Sequence, residues 1–67
     1  MQLTVNHKPI EIEAATLTVR ELLERLNYQF PLIFVKVNGK VIKKDLYASL
    51  QLIEGDVVEA IHLMGGG

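Results

Sequence analysis

The chain has 67 residues, 49% of them hydrophobic, with 7 basic and 8 acidic side chains, a formal charge of -1 and no cysteine. These figures allow one small domain with a dense core, since a chain this short buries only about 60% of the surface its unfolded form exposes. They exclude a disordered chain, a basic nucleic-acid binder, a disulfide scaffold, a cysteine–zinc site and a catalytic thiol.

Met1-Gln2-Leu3-Thr4-Val5 has neither the basic nor the apolar region of a signal peptide,. No apolar run approaches the ~20 residues of a membrane helix. The expectation is a cytoplasmic protein that engages neither membrane nor nucleic acid and is a monomer when free.

Leu3 and Val5 alternate with Gln2 and Thr4, a period of two that predicts a half-buried strand,. Asn6-His7-Lys8-Pro9 is turn material. Ile10 and Ile12 alternate with Glu11 and Glu13, completing a hairpin. The period then changes: Val19, Leu22, Leu23 and Leu26 form one helical stripe, with Arg20, Glu21, Glu24 and Arg25 off it,. Thr18 followed by Glu21 is a capping-box pattern at its start. Pro31 lies beyond the helix, whose end is expected around Asn27 or Tyr28.

Residues 32–37 are a strongly apolar run, and Asn38-Gly39 separates them from Val41-Ile42, the strongest short hairpin signal,. Residues 45–50 are expected to make a short helical turn with Leu46 and Leu50 inward. Asp45 and Asp56 read as turn and cap residues, and Glu54-Gly55-Asp56 as a turn. A final strand, residues 57–64, runs directly into Gly65-Gly66-Gly67. The order is β-β-α-β-β-(turn)-β, and one amphipathic helix must lie across one sheet face. The fold class is therefore α+β, a mixed five-stranded sheet on one main helix. The domain is residues 1–64, with a glycine tail at 65–67.

Glycine packs nothing and is the residue most expensive in entropy to order. A glycine tip on a tiny domain is either a frayed end or cloning remnant, or a segment that another protein threads to reach the terminal carboxylate.

The N-terminal hairpin, the helix start Thr18-Val19-Arg20-Glu21-Leu22-Leu23, Val35-Lys36-Val37-Asn38-Gly39 and Glu54-Gly55-Asp56-Val57-Val58-Glu59 before the terminal glycines carry a resemblance. Over its whole length the chain resembles the ubiquitin-like β-grasp superfamily and, within it, the thiamine-pathway sulfur carriers of the ThiS family. It departs from them at His7, where relatives often carry glycine, at Lys36, where a small residue is usual, and at Lys43-Lys44, which replace a common proline–arginine pair.

The resemblance implies a carrier and not an enzyme. A ThiF-like adenylating enzyme would use ATP to make a C-terminal acyl-adenylate, with no cofactor bound by the carrier itself. Sulfur from a donor such as a persulfide protein would convert the adenylate to a thiocarboxylate. A ThiG-like thiazole synthase would consume it. Adenylation turns a poor electrophile into one with a good leaving group, and access must select one carboxylate among many. Three extended glycines reach roughly 10 Å and pass a channel that side chains would block. Gly67 is thus the reactive residue, and Gly65 and Gly66 thread the channel.

Along the last strand Val58 and Ala60 share one face, and Glu59, Ile61 and Leu63 the other. With the first set turned to the helix, and Val35 and Val37 inward, Phe34, Ile61 and Leu63 form an outward cluster that is a candidate docking patch. Lys36 and Glu59 are expected to pair across neighbouring strands within it. Scattered surface apolar residues or the reversed parity are the plain alternatives. Lys36, Lys40, Lys43 and Lys44 read as a solvated hairpin surface or as a patch for an acidic partner. His7 and His62 lack the companions of a metal site, and His62 is expected to be a partly buried strand residue. Two further readings stay open. One is a MoaD-like small subunit of molybdopterin synthase, against which Met64 and the third glycine weigh. The other is a non-covalent β-grasp interaction module.

Overall fold

A computed structural model describes residues 1–28 and 33–62. Among these the elements run β1 (Gln2–Val5), β2 (Lys8–Glu11), β3 (Leu17–Thr18), α1 (Val19–Arg25), β4 (Ile33–Val37), β5 (Lys40–Ile42), one 3-10 turn (Lys44–Leu46), β6 (Gln51–Leu52) and β7 (Val57–His62). Five strands form one sheet in the order β2-β1-β7-β4-β5, so β7 is central. β1 and β7 run parallel; the other pairs in this sheet are antiparallel. Leu3, Val5, Ile33, Val35, Val58 and Ala60 meet Val19, Leu22 and Leu23 of α1 in one buried core, with Leu26 and Val37 at its rim. This is the expected mixed sheet on one helix. Pro31, Leu32, Leu63, Met64 and residues 65–67 lie outside the described residues, as does the proposed boundary at residue 64.

The helix starts where its cap directs. Glu21 N–H donates to Thr18 Oγ1 at 3.1 Å, and Thr18 N–H donates to Glu21 Oε1 at 2.8 Å, the reciprocal capping box,. Val19 and Arg20 N–H groups donate to the carbonyls of Leu50 and Tyr47 at 3.1 and 2.9 Å, so the first turn leaves few free donors,. The helix ends at Arg25, slightly before the expected place. Asn27 turns left-handed at φ 61, and N–H groups of Asn27 and Tyr28 donate back to the carbonyls of Glu24 and Leu23. That is a Schellman closure with asparagine in the position glycine usually takes, and it sets Tyr28 against the core.

Both hairpins turn through two left-handed residues. Asn38 (φ 51) and Gly39 (φ 85) fulfil the Asn-Gly signal and set Val37 opposite Lys40,. The first turn is tighter than the sequence suggests. It uses only Asn6 (φ 50) and His7 (φ 70), and Lys8 and Pro9 already pair with Val5 and Thr4 in β2. Pro9 is tolerated there because β2 is an edge strand, which can do without one N–H,. His7 holds a conformation that costs a residue with a Cβ about 1–2 kcal/mol. His7→Gly is therefore expected to stabilise the domain by about 1 kcal/mol, raising the thermal midpoint by roughly 5 °C in calorimetry.

Two expectations fail in the second half. Leu46 points outward, 46% exposed, and Tyr47 is buried in its place. The segment makes only a single 3-10 turn, and the Tyr47 carbonyl is fixed under Arg20 at the helix start, which carries its ring into the core. Burial pushes the Tyr47 hydroxyl pKa above its ordinary value, against the smaller opposing pull of a backbone hydrogen bond at Val35. Leu50 packs at the core rim as expected. The second difference is a small sheet absent from the predicted order: β3 pairs with β6, Leu17 opposite Leu52 and Thr18 opposite Gln51.

Candidate functional site

The site is built around the end of β7. His62 is the last described residue of that strand, and the Gly67 carboxylate follows five residues later, within at most about 18 Å of extended chain,. Leu63, Gly65, Gly66 and Gly67, all predicted site residues, lie outside the described residues. The structure places the strand that precedes them.

β7 is held on both flanks, but unequally. β4 accompanies it from Val58 opposite Val37 to His62 opposite Ile33. β1 accompanies it only at Val57 and Val58, then departs into its hairpin turn. Beyond that point Asn6 substitutes for strand. Its N–H donates to the Val58 carbonyl at 2.9 Å, and its side-chain Oδ1 accepts from Ala60 N–H at 2.9 Å. Its Nδ2 donates to the Ala60 carbonyl at 3.2 Å and to the Tyr28 hydroxyl at 2.8 Å. The carboxamide therefore pairs with Ala60 as another peptide unit would.

Asn38 does related work at the start of β7. Its N–H donates to the Val57 carbonyl at 2.7 Å and its Oδ1 accepts from Val57 N–H at 2.9 Å. Its Nδ2 donates to Asp56 Oδ1 at 3.0 Å, while Asp56 Oδ2 accepts from Ile53 N–H at 2.9 Å. Asp56, 8% exposed, is thus the expected turn residue, buried because it also ties two turns together.

Register brings the predicted docking residues to one face. Phe34 lies directly opposite Ile61, and Lys36 directly opposite Glu59, all on the sheet side away from α1 and all half-buried. Two apolar residues that the sequence reading missed share that face. Val41, 62% exposed, lies opposite Lys36, and Val57, 46% exposed, lies opposite Thr4. Both were recoverable: a two-residue Asn-Gly hairpin dictates Lys36 opposite Val41, and Val57 has the parity of Glu59 and Ile61. Lys40, Lys43 and Lys44 are exposed along and after β5. His62 differs from expectation. It has the inward parity of Val58 and Ala60 yet is exposed, although Ile33 opposite it is fully buried, because its ring meets Tyr28, itself only partly buried at the rim of the core, edge-on at 5.4 Å. Among the described residues no group of His, Cys, Asp and Glu could hold a metal ion, and no helix is long and apolar enough to cross a membrane.

Comparison with known proteins agrees with this geometry. The ThiS family model matches residues 3–67, a span that includes the glycine tail. A sulfur carrier protein ThiS of Bacillus subtilis is 31% identical over 65 residues, covering 97% of this chain and 98% of that protein. A thiazole synthase of Magnetococcus marinus is 33% identical over 67 residues, all of this chain but only 20% of that larger protein. The crystal structure of a thiamine biosynthesis protein (ThiS) from Geobacter metallireducens superposes with a TM-score of 0.88 at 39% identity, covering both chains completely. A solution structure of a thiamine biosynthesis protein from the same organism gives a TM-score of 0.82 at 38% identity, covering all of this chain and 88% of that one. Matched in sequence and in fold along its whole length, the chain belongs to the ThiS family of sulfur carriers in thiamine biosynthesis.

Proposed function

We propose that this protein carries sulfur as a thiocarboxylate on Gly67. The observation that carries the reading is the family match running through the last glycine, behind a central strand held on both flanks. The chain has no thiol, so sulfur must ride on a carbonyl carbon. In this reading an oxygen of the Gly67 carboxylate attacks the α-phosphorus of ATP on a ThiF-like enzyme and expels pyrophosphate. A sulfur nucleophile, such as a protein persulfide, then attacks the acyl carbon and expels AMP. A second thiol of the donor system cleaves the resulting acyl disulfide at its S–S bond, leaving the thiocarboxylate on Gly67 and a disulfide on the donor side. Gly65 and Gly66 thread the active-site channel. The domain, residues 1–64, binds no cofactor of its own; it presents residues 65–67. In this reading the cycle runs in the cytoplasm, where ATP is available.

The consuming partner is a ThiG-like thiazole synthase. A thiazole synthase that contains a stretch 33% identical to the entire chain supports this, because joining a carrier to its consumer suits a shared reaction. Docking uses the open sheet face: Phe34 and Ile61 at its apolar centre, with Lys36 and Glu59 beside them; Leu63 is assigned to the same surface from the sequence alternation alone. Phe34→Ser is expected to raise KM with the adenylating enzyme about tenfold, near 1.4 kcal/mol of docking energy. A steady-state assay that finds KM unchanged removes Phe34 from the interface.

The carrier reading is tested by incubating the protein with ATP, the adenylating enzyme of its own cell and a sulfur donor, then recording intact mass. The expected result is the adenylate, followed by the gain for replacing one carboxyl oxygen with sulfur. A chain that acquires neither is not a carrier of this kind.

A further inference from the structure

We infer that Asn6 is a positioning residue for the tail reaction, acting through Ala60 on the direction in which β7 leaves the sheet. The inference rests on the carrier reading above. Past Val58, β7 has a full strand on one flank only, because β1 has already turned. A strand held on one side pivots about that ladder, and any swing at its end is magnified along the residues that follow. The Asn6 carboxamide closes the open flank at Ala60, two residues before the end of the described strand, by both accepting and donating a hydrogen bond.

The orientation of that carboxamide is unique. Reversed, it would set its NH2 against the Ala60 N–H and its oxygen against the Ala60 carbonyl. The Tyr28 hydroxyl takes the remaining N–H of Nδ2 at 2.8 Å and so holds the group in place. Tyr28 is itself located by the left-handed turn at Asn27 that closes α1. The helix terminus, the first hairpin and the central strand therefore meet at one side chain. Asparagine suits the place on two counts. It tolerates φ 50 better than other residues with a Cβ,, and its side chain is a peptide unit in miniature.

Asn38 provides the control. It grips Val57 at the opposite end of β7 with a comparable set of bonds, so its loss destabilises the same strand without freeing the end that leads to the tail. The test compares Asn6→Gly, which keeps a left-handed backbone and removes only the carboxamide, with Asn38→Gly. Amide hydrogen exchange at Ala60 and steady-state adenylation are read on both. Asn6→Gly is expected to speed Ala60 exchange at least tenfold and to lower kcat of adenylation about tenfold with KM within about twofold, because the docking face is untouched while fewer tails are aligned for attack. Asn38→Gly is expected to lower the unfolding midpoint similarly and leave kcat unchanged. Tyr28→Phe should show the Asn6 effect in smaller measure. Unchanged kcat in Asn6→Gly, or an equal fall in Asn38→Gly, overturns the inference while the carrier reading stands. Wild-type protein that is never adenylated is a different result, and removes both.

Discussion

Removal of Gly67 is expected to abolish adenylate and thiocarboxylate formation while leaving the thermal unfolding midpoint within about 1 °C of the full chain, the scale of a change of a few tenths of a kcal/mol. Glycine brings no side chain to a core, so its removal empties no packed space. The shortened chain still ends in a carboxylate, so charge and chemistry are retained and only reach changes, by roughly 3.5 Å. Loss of function then reports distance to the ATP α-phosphorus. Gly66→Val separates reach from width: it keeps the length and adds a branched side chain where the channel must be narrow. It too should lose modification, read by intact mass after incubation with ATP and the adenylating enzyme. A Gly67-deleted chain that is still adenylated would show that the enzyme accepts a shorter acyl donor, and the assignment of the reactive position would be wrong.

Leu22→Ala is expected to cost about 3 kcal/mol of stability, within the 2–5 kcal/mol typical of a buried leucine truncated to alanine. Leu22 is fully buried on the face of α1 that meets the sheet. A domain of this size has on the order of 3–10 kcal/mol in total, so the variant should be close to the edge of folding. Its midpoint in a urea titration should fall by about 1–3 M, given m-values of about 1–3 kcal/mol/M, with the slope unchanged if unfolding stays two-state. A loss under 1 kcal/mol would mean that the sheet closes over the vacated space. That would be inconsistent with a core pinned by both hairpins and by the capped helix.

The parts of the fold visible in the sequence are those set by local rules. The stripe Val19, Leu22, Leu23 and Leu26 with the Thr18–Glu21 box fixes the helix start to the residue, and Asn38-Gly39 fixes both the second turn and the register beyond it. The parity of β7 followed from period two, which correctly placed Phe34 and Ile61 on the open face. What escaped depends on distant partners. β3 and β6 are two residues each and pair only because Leu17 and Leu52 meet in the core. The exchange of Leu46 for Tyr47 followed from a carbonyl bond to the start of α1, which no periodicity records. Asn6 was visible only as turn material. Its second role needs the parallel neighbour and Tyr28, brought together from residues 22 and 54 positions away.

The central place of β7 also has a mechanical consequence. A partner that draws the C-terminus into its channel applies tension along this strand. β1 and Asn6 bond it on one flank and β4 on the other, through hydrogen bonds that run across the strand, perpendicular in the antiparallel pair with β4 and slanted in the parallel pair with β1,. Tension therefore loads both ladders together in shear instead of peeling them open bond by bond. The domain can serve as a rigid grip behind its tail, so work done on the last residues goes into threading them and not into unravelling what precedes them.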